Sequence, residues 1–170
     1  MQYNNTLYNE LYNLSEREIS KNFEFLGEGV ARKVYSIDNK NVIKVAKGID
    51  GLYQNSIENY IYNKVNKDLS IYLCPVVYFK PKMLIMRKAI PLSSFIYHNN
   101  LSIHDILNHK NTFYDLENMS KKYYLYFNDI IQARSWGILN NKCVLIDYGC
   151  PNKNGVEFYT KLFNKQAKIK

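Results

Sequence analysis

A lysine sits inside an apolar run at Val42-Ile43-Lys44-Val45. Short runs of β-branched residues read as strands, whose successive side chains point to opposite faces. Lys44 therefore faces away from both Ile43 and Val45. If the two aliphatic residues are buried, the lysine must reach water or a polar cleft. A surface lysine on an edge strand and a lysine lining a cleft both satisfy the pattern.

The residues just before it are organised around two glycines. Phe23, Phe25, Val30, Val34, Tyr35 and Ile37 alternate with polar residues around Gly27 and Gly29, as strands joined by a tight turn do. Two glycines one residue apart let the backbone turn close to a ligand, so that N–H groups can approach phosphate oxygens. A plain hairpin uses the same pair. Asp38-Asn39-Lys40-Asn41 is a turn cluster leading into the strand of Lys44.

Elsewhere the pattern is helical. Leu7, Leu11 and Leu14 mark one face of an N-terminal helix, and Ser15 with Glu18 resembles a capping box that opens a second. Tyr53, Ile57, Ile61 and Val65 recur every fourth position, which predicts a helix over 52–65. The stretches 71–79 and 83–86, bounded by Pro75, Pro81 and Pro91, are expected as strands. Ser102 can cap a helix around Ile103, Ile106 and Leu107, a longer helix is expected over 112–126, and the tail 156–169 is amphipathic. Cys143 to Ile146 is a compact strand ending in Asp147-Tyr148-Gly149. A mostly antiparallel sheet with one inserted helix, then helices and a late strand pair, is an α+β arrangement. With 170 residues the chain supports a single domain.

Gly27-x-Gly29-x-x-Arg32-x-Val34 followed by Val42-Ile43-Lys44 resembles the glycine-rich loop and strand lysine of the protein-kinase-like family. The family's third glycine is replaced by Arg32, which stiffens the loop. Val144-Leu145-Ile146-Asp147-Tyr148-Gly149 is similar to the family's metal-binding Asp-Phe-Gly, in the Asp-Tyr-Gly form met in short bacterial and phage members. The resemblance implies a small antiparallel N-terminal lobe with one helix, about 20–90, and a reduced, mainly helical C-terminal lobe, about 91–170. It implies ATP and Mg²⁺ as cofactors. Gly27, Gly29 and Val34 would border the nucleotide, and Lys44 would hold the α- and β-phosphates. Glu58, the only acidic residue between Asp50 and Asp68, would position that lysine from the following helix. Residues 87–92 would be the hinge that receives adenine, and Asp147 would bind the metal.

The match frays in the catalytic loop. Asp129 lies 18 residues before Asp147, the spacing of the family's catalytic base, yet Phe127 and Asn128 stand where histidine and arginine usually precede it. The second metal-binding asparagine falls at Arg134, or at Ser135 if Trp136-Gly137 is kept in place. With 21 residues after Gly149 in this sequence, the helices on which a kinase docks a peptide are not expected in it. Two functions follow from the resemblance. One is a minimal serine/threonine-type phosphotransferase, acting on itself or another hydroxyl; the other is a catalytically impaired module that binds nucleotide or a partner protein.

Charge adds a third, weaker reading. The 23 basic against 15 acidic residues give a net of +8, which suits nucleotide phosphates, nucleic acid or an acidic protein. A Lys- and Asn-rich solvated surface explains the same number, so nucleic acid ranks last among the partners and stays open. A protein substrate or partner, or a second copy of the chain, ranks ahead of it, because a reduced C-terminal lobe leaves apolar surface to cover. Cys74, Cys143 and Cys150 have neither disulfide nor zinc spacing, and His98, His104 and His109 lack metal spacing. The 16 tyrosines read mostly as packing and half-exposed surface. Without a signal-like start or an apolar stretch of roughly 20 residues, the expected location is the cytoplasm of the host cell, with no membrane contact.

Overall fold

The computed structural model describes residues 2–96 and 111–167, so the helix expected around Ser102 and the three histidines lie outside the described residues. The class is α+β, with an antiparallel N-terminal sheet and helices around it. The chain divides into two compact units, residues 1–63 with 74–89 and residues 64–73 with 90–170.

The first unit is built on five antiparallel strands: β1 (Glu24–Glu28), β2 (Arg32–Ser36), β3 (Asn41–Ala46), β4 (Val76–Lys80) and β5 (Met83–Arg87). Their order is β1-β2-β3-β5-β4, which puts the strand of Lys44 in the middle. An interior strand has no solvent edge, so the edge-strand reading of Lys44 is corrected. Period-two alternation then divides the sheet. Tyr35, Ile43, Val45, Met83 and Ile85 point to one side, where helices α1 (Gln2–Asn13) and α2 (Glu16–Asn22) supply Tyr8, Leu11 and Ile19.

The packed face of α1 keeps Leu11 and Leu14 of the expected stripe but takes Tyr8 in place of Leu7. Leu7 is 48% exposed while Tyr8 is 5% exposed. Tyr8 meets the ring of Tyr78 on β4 at 5.5 Å, and Lys80 Nζ lies 4.2 Å from the Tyr12 ring centre. Aromatic area and a cation–π contact thus turn the packed face from Leu7 toward the tyrosines. The Ser15 capping box is present: its Oγ accepts from Glu18 N–H, and Glu18 Oε2 accepts from Ser15 N–H at 2.7 Å.

The other side of the sheet receives α3 (Ile49–Lys64), which buries Ile57 and Ile61. Gly51 makes this approach feasible: a Cβ there would sit 2.4 Å from the Ala31 carbonyl oxygen and 2.8 Å from Ala46 Cα. Residue 71 does not begin a strand. The short helix α4 (Lys67–Ser70), capped by Asn66 Oδ1 accepting from Leu69 N–H at 3.2 Å, turns the chain before Pro75.

The second unit holds a three-stranded antiparallel sheet, β6 (Ile90–Pro91), β7 (Trp136–Leu139) and β8 (Lys142–Leu145), in that order. Asn140 and Asn141, with φ of 50° and 62°, join β7 to β8 in a left-handed two-residue turn that asparagine tolerates well. Around this sheet lie α5 (Ser93–Ile96), α6 (Thr112–Lys122), α7 (Phe127–Ile130) and α8 (Lys153–Ala167). Helix α6 stops short of the expected residue 126, because Tyr124 takes a positive φ of 51° and Leu125 N–H turns back to the Ser120 carbonyl at 2.9 Å. Leu145 N–H reaches the Tyr72 carbonyl at 2.6 Å, which ties residues 64–73 into this unit. Among the described residues no helix is long and apolar enough to cross a membrane.

Gly51→Ala should therefore lower the urea midpoint by an amount worth about 1–3 kcal/mol, as other overpacked sites do. Gly48→Ala, which meets nothing within 4 Å, should stay within about 0.5 kcal/mol of the parent.

Candidate functional site

Registers across the first unit's sheet place several chemistry-bearing residues in one row. Gly27 on β1 pairs with Val34 on β2, Val34 with Lys44 on β3, and Lys44 with Leu84 on β5. Directly opposed residues share a face, so Val34, Lys44 and Leu84 point to the side that α3 occupies.

From α3, Glu58 meets this row. Lys44 Nζ donates to Glu58 Oε1 at 2.9 Å and to Oε2 at 2.8 Å. The same carboxylate takes a fork from Arg32, with Nη2 to Oε1 at 3.0 Å and Nη1 to Oε2 at 3.0 Å. Arg32 Nη1 also donates to Asn55 Oδ1 at 3.3 Å, while Asn55 Nδ2 donates to the Pro81 carbonyl at 3.0 Å. Arg32, Lys44, Asn55 and Glu58 are all buried, Glu58 completely. Gly51, Asn55 and Glu58 fall at i, i+4 and i+7, so one stripe of α3 carries the close approach, the amide and the carboxylate.

Burial alone would raise the Glu58 pKa, but the charges and hydrogen bonds of Arg32 and Lys44 outweigh it and bring the carboxyl down from 4.5 to about 2. Glu58 is therefore an anion at any physiological pH, and it orients cations rather than passing protons. Nearby, Cys74 Sγ lies 3.1 Å from the Arg87 carbonyl, and burial pushes its thiol up to about 12, so it is no nucleophile at neutral pH.

The glycine hairpin is tight. Gly29 N–H donates to the Arg32 carbonyl at 2.9 Å, leaving Val30 and Ala31 at the tip, with Val30 96% exposed. Lys47 secures it from beyond β3: its N–H donates to the Ala31 carbonyl at 2.9 Å and its Nζ to the Gly29 carbonyl at 3.1 Å. Gly27 sits at an irregularity in the β1–β2 register with φ of +153°, a conformation that side chains rarely adopt. Gly29 has no such φ, and a Cβ on it would meet nothing. The fold itself thus requires glycine at 27 but not at 29.

In the second unit, Asp129 lies on α7 and its Oδ1 accepts from Arg134 Nη2 at 2.7 Å. Its backbone carbonyl takes the Ser135 hydroxyl at 2.7 Å, and Trp136 Nε1 donates to the Ile130 carbonyl at 2.7 Å. Arg134, the position expected to carry a metal-binding asparagine, instead engages the carboxylate expected to act as base. Asp147 is exposed two residues beyond β8, and Ile146 N–H and Asp147 N–H both donate to the Ser135 carbonyl, at 2.8 and 3.3 Å. Among the described residues no three His, Cys, Asp or Glu side chains gather as a metal site. The structure thus brings together Gly27, Val34, Lys44 and Glu58 in the first unit, and places Asp129 and Asp147 on the second. Arg32 as a partner of Glu58 and the role of Asn55 were missed at the sequence level. The signal for Arg32 was present, since strand alternation puts it on the face of Val34 and Lys44, where a second buried cation demands an acid.

Neither a protein-family model nor a curated protein sequence matches the chain. Among solved structures, the streptomycin–ATP–APH(2")-IIa ternary complex is similar at a TM-score of 0.45 and 16% identity, over 81% of this chain and 71% of that one.

Two outcomes follow for stability. Since Glu58 is held below its unfolded value, its stabilisation is complete above about pH 4.5 and is lost as pH falls toward about 2, an effect on the order of 3 kcal/mol. Glu58→Gln should remove this acid-sensitive component and cost about 3–5 kcal/mol at pH 7, read from urea midpoints between pH 2 and 7. In the hairpin, Gly27→Ala should cost about 1 kcal/mol, whereas Gly29→Ala should leave the midpoint unchanged or slightly raised.

Proposed function

We propose that this chain is an ATP-dependent phosphotransferase of the kinase-like type, passing the terminal phosphoryl group to a hydroxyl on a protein, its own included. One observation carries the reading: a buried lysine, oriented by a buried glutamate, shares a cross-strand row with Gly27 and Val34. A lysine so placed supplies a point charge for phosphate oxygens. Gly29, which the fold does not need as glycine, puts no Cβ in the way of a phosphate chain lying close to the hairpin. Val34 offers an apolar surface to adenine.

A Mg²⁺ ion would be held by Asp147 together with phosphate oxygens, since this cation commonly binds through one or two carboxylates and keeps the rest of its shell as water and phosphate. Bound there, it would neutralise charge developing on the transferred group. Asp129 would orient the acceptor hydroxyl from α7, and Arg134 sets the orientation of that carboxylate. The location would be the cytoplasm of a host cell, and a single kinase-like domain would comprise both units.

A second reading has its own observation. The Asp129–Arg134 pair engages the candidate base with a cation, which favours a module that binds nucleotide and docks on a partner protein without transferring phosphate.

Incubation with γ-labelled ATP and Mg²⁺ separates the two. Label that appears on the protein or an added acceptor, and disappears in both Lys44→Ala and Asp147→Ala, is the expected result. Thermal stabilisation by ATP without label favours the binding module. If ATP neither stabilises nor labels the protein, both readings fall.

A further inference from the structure

Arg32 stands where the resemblance expects a third glycine, and it is built into the site rather than projecting from it. Its backbone carbonyl accepts from Gly29 N–H and so closes the hairpin turn. Its side chain runs inward to the Glu58 carboxylate, where the two-pronged contact uses both oxygens at 3.0 Å. Asn55, oriented by the Pro81 carbonyl, presents its Oδ1 to the same guanidinium. One residue thus joins the hairpin turn to the carboxylate that orients Lys44.

The charges make this more than a strut. A lone Lys–Glu pair is neutral, and an arriving phosphate must compete with the carboxylate for the lysine. Two cations on one carboxylate carry a net positive charge between the three groups. Lysine can then turn toward an anion while the buried carboxylate keeps a cation, avoiding the large cost of a stranded buried charge. Arginine suits the holding role because its planar fork matches both oxygens and its charge is permanent.

We propose that Arg32 is a positioning residue of the phosphate site, which by sharing Glu58 with Lys44 raises the affinity of the site for a polyphosphate chain. This rests on the nucleotide reading above and deepens it.

The test is titration calorimetry on the full chain with three probes (ATP, inorganic tripolyphosphate and adenosine), alongside thermal midpoints. Arg32→Gln should weaken ATP and tripolyphosphate by about tenfold or more while leaving adenosine affinity unchanged. Arg32→Lys, which keeps the charge without the fork and is the safer variant for folding, should lie between the two. Equal losses for ATP and adenosine, or a lowered midpoint with unchanged tripolyphosphate affinity, overturn the proposal. Arg32-dependent tripolyphosphate binding by a protein that does not bind ATP sinks the nucleotide reading while sustaining the role of Arg32. Failure of the parent protein to bind either phosphate probe sinks both.

Discussion

The carboxylate of Glu58 is the constraint around which the inner side of the first unit is arranged. It is completely buried, so it must either be protonated or be surrounded by cations, and the structure adopts the second solution twice over. Such a group seldom increases stability over a well-packed apolar replacement, yet removing one partner is severe. Its effect is to specify position. β2, β3 and α3 are drawn to one point, because each contributes one member of the set. The opposite side of the sheet is ordinary by comparison, an aliphatic and aromatic layer under two short helices.

How much of this was legible in the sequence depends on how local each signal is. The direction of Lys44 followed from strand alternation alone, and Glu58 stood out as the only acid within reach on the next helix. Arg32 was read as a loop residue because the turn was taken to be longer than it is; the register shows the strand already resumed at that position. Asn55 carries no signature, since its partners lie on β2 and beside β5 and are assembled only by the fold. For α1, Leu11 and Leu14 pack as the stripe suggested, while Tyr8 takes the place of Leu7, because tyrosine buries more area than leucine. The paired asparagines at 140 and 141 were a hairpin signal that the weak strand character of 136–139 obscured.

The second unit shows the limit of motif spacing. Asp129 and Asp147 stand the right number of residues apart, but the residues around Asp129 are used differently from the pattern they resemble. Arg134 engages the carboxylate, Ser135 binds backbone on both sides, and Trp136 anchors α7 through Ile130. These contacts organise a turn as much as a site. Spacing could locate the aspartate, but it could not say what its neighbours would do with it.

Gly51 has a consequence at a distance. It lies seven residues before Glu58 on the same stripe of α3, about 10 Å along the helix axis at 1.5 Å per residue. With the Ala31 oxygen and Ala46 occupying the space of a missing Cβ, the helix rests against the hairpin as a lever rests on its fulcrum. Thickening the fulcrum would shift the far arm and loosen the fit of the carboxylate to its two cations. A residue with no side chain thereby calibrates the reach of a buried charged cluster to which it adds no charge of its own.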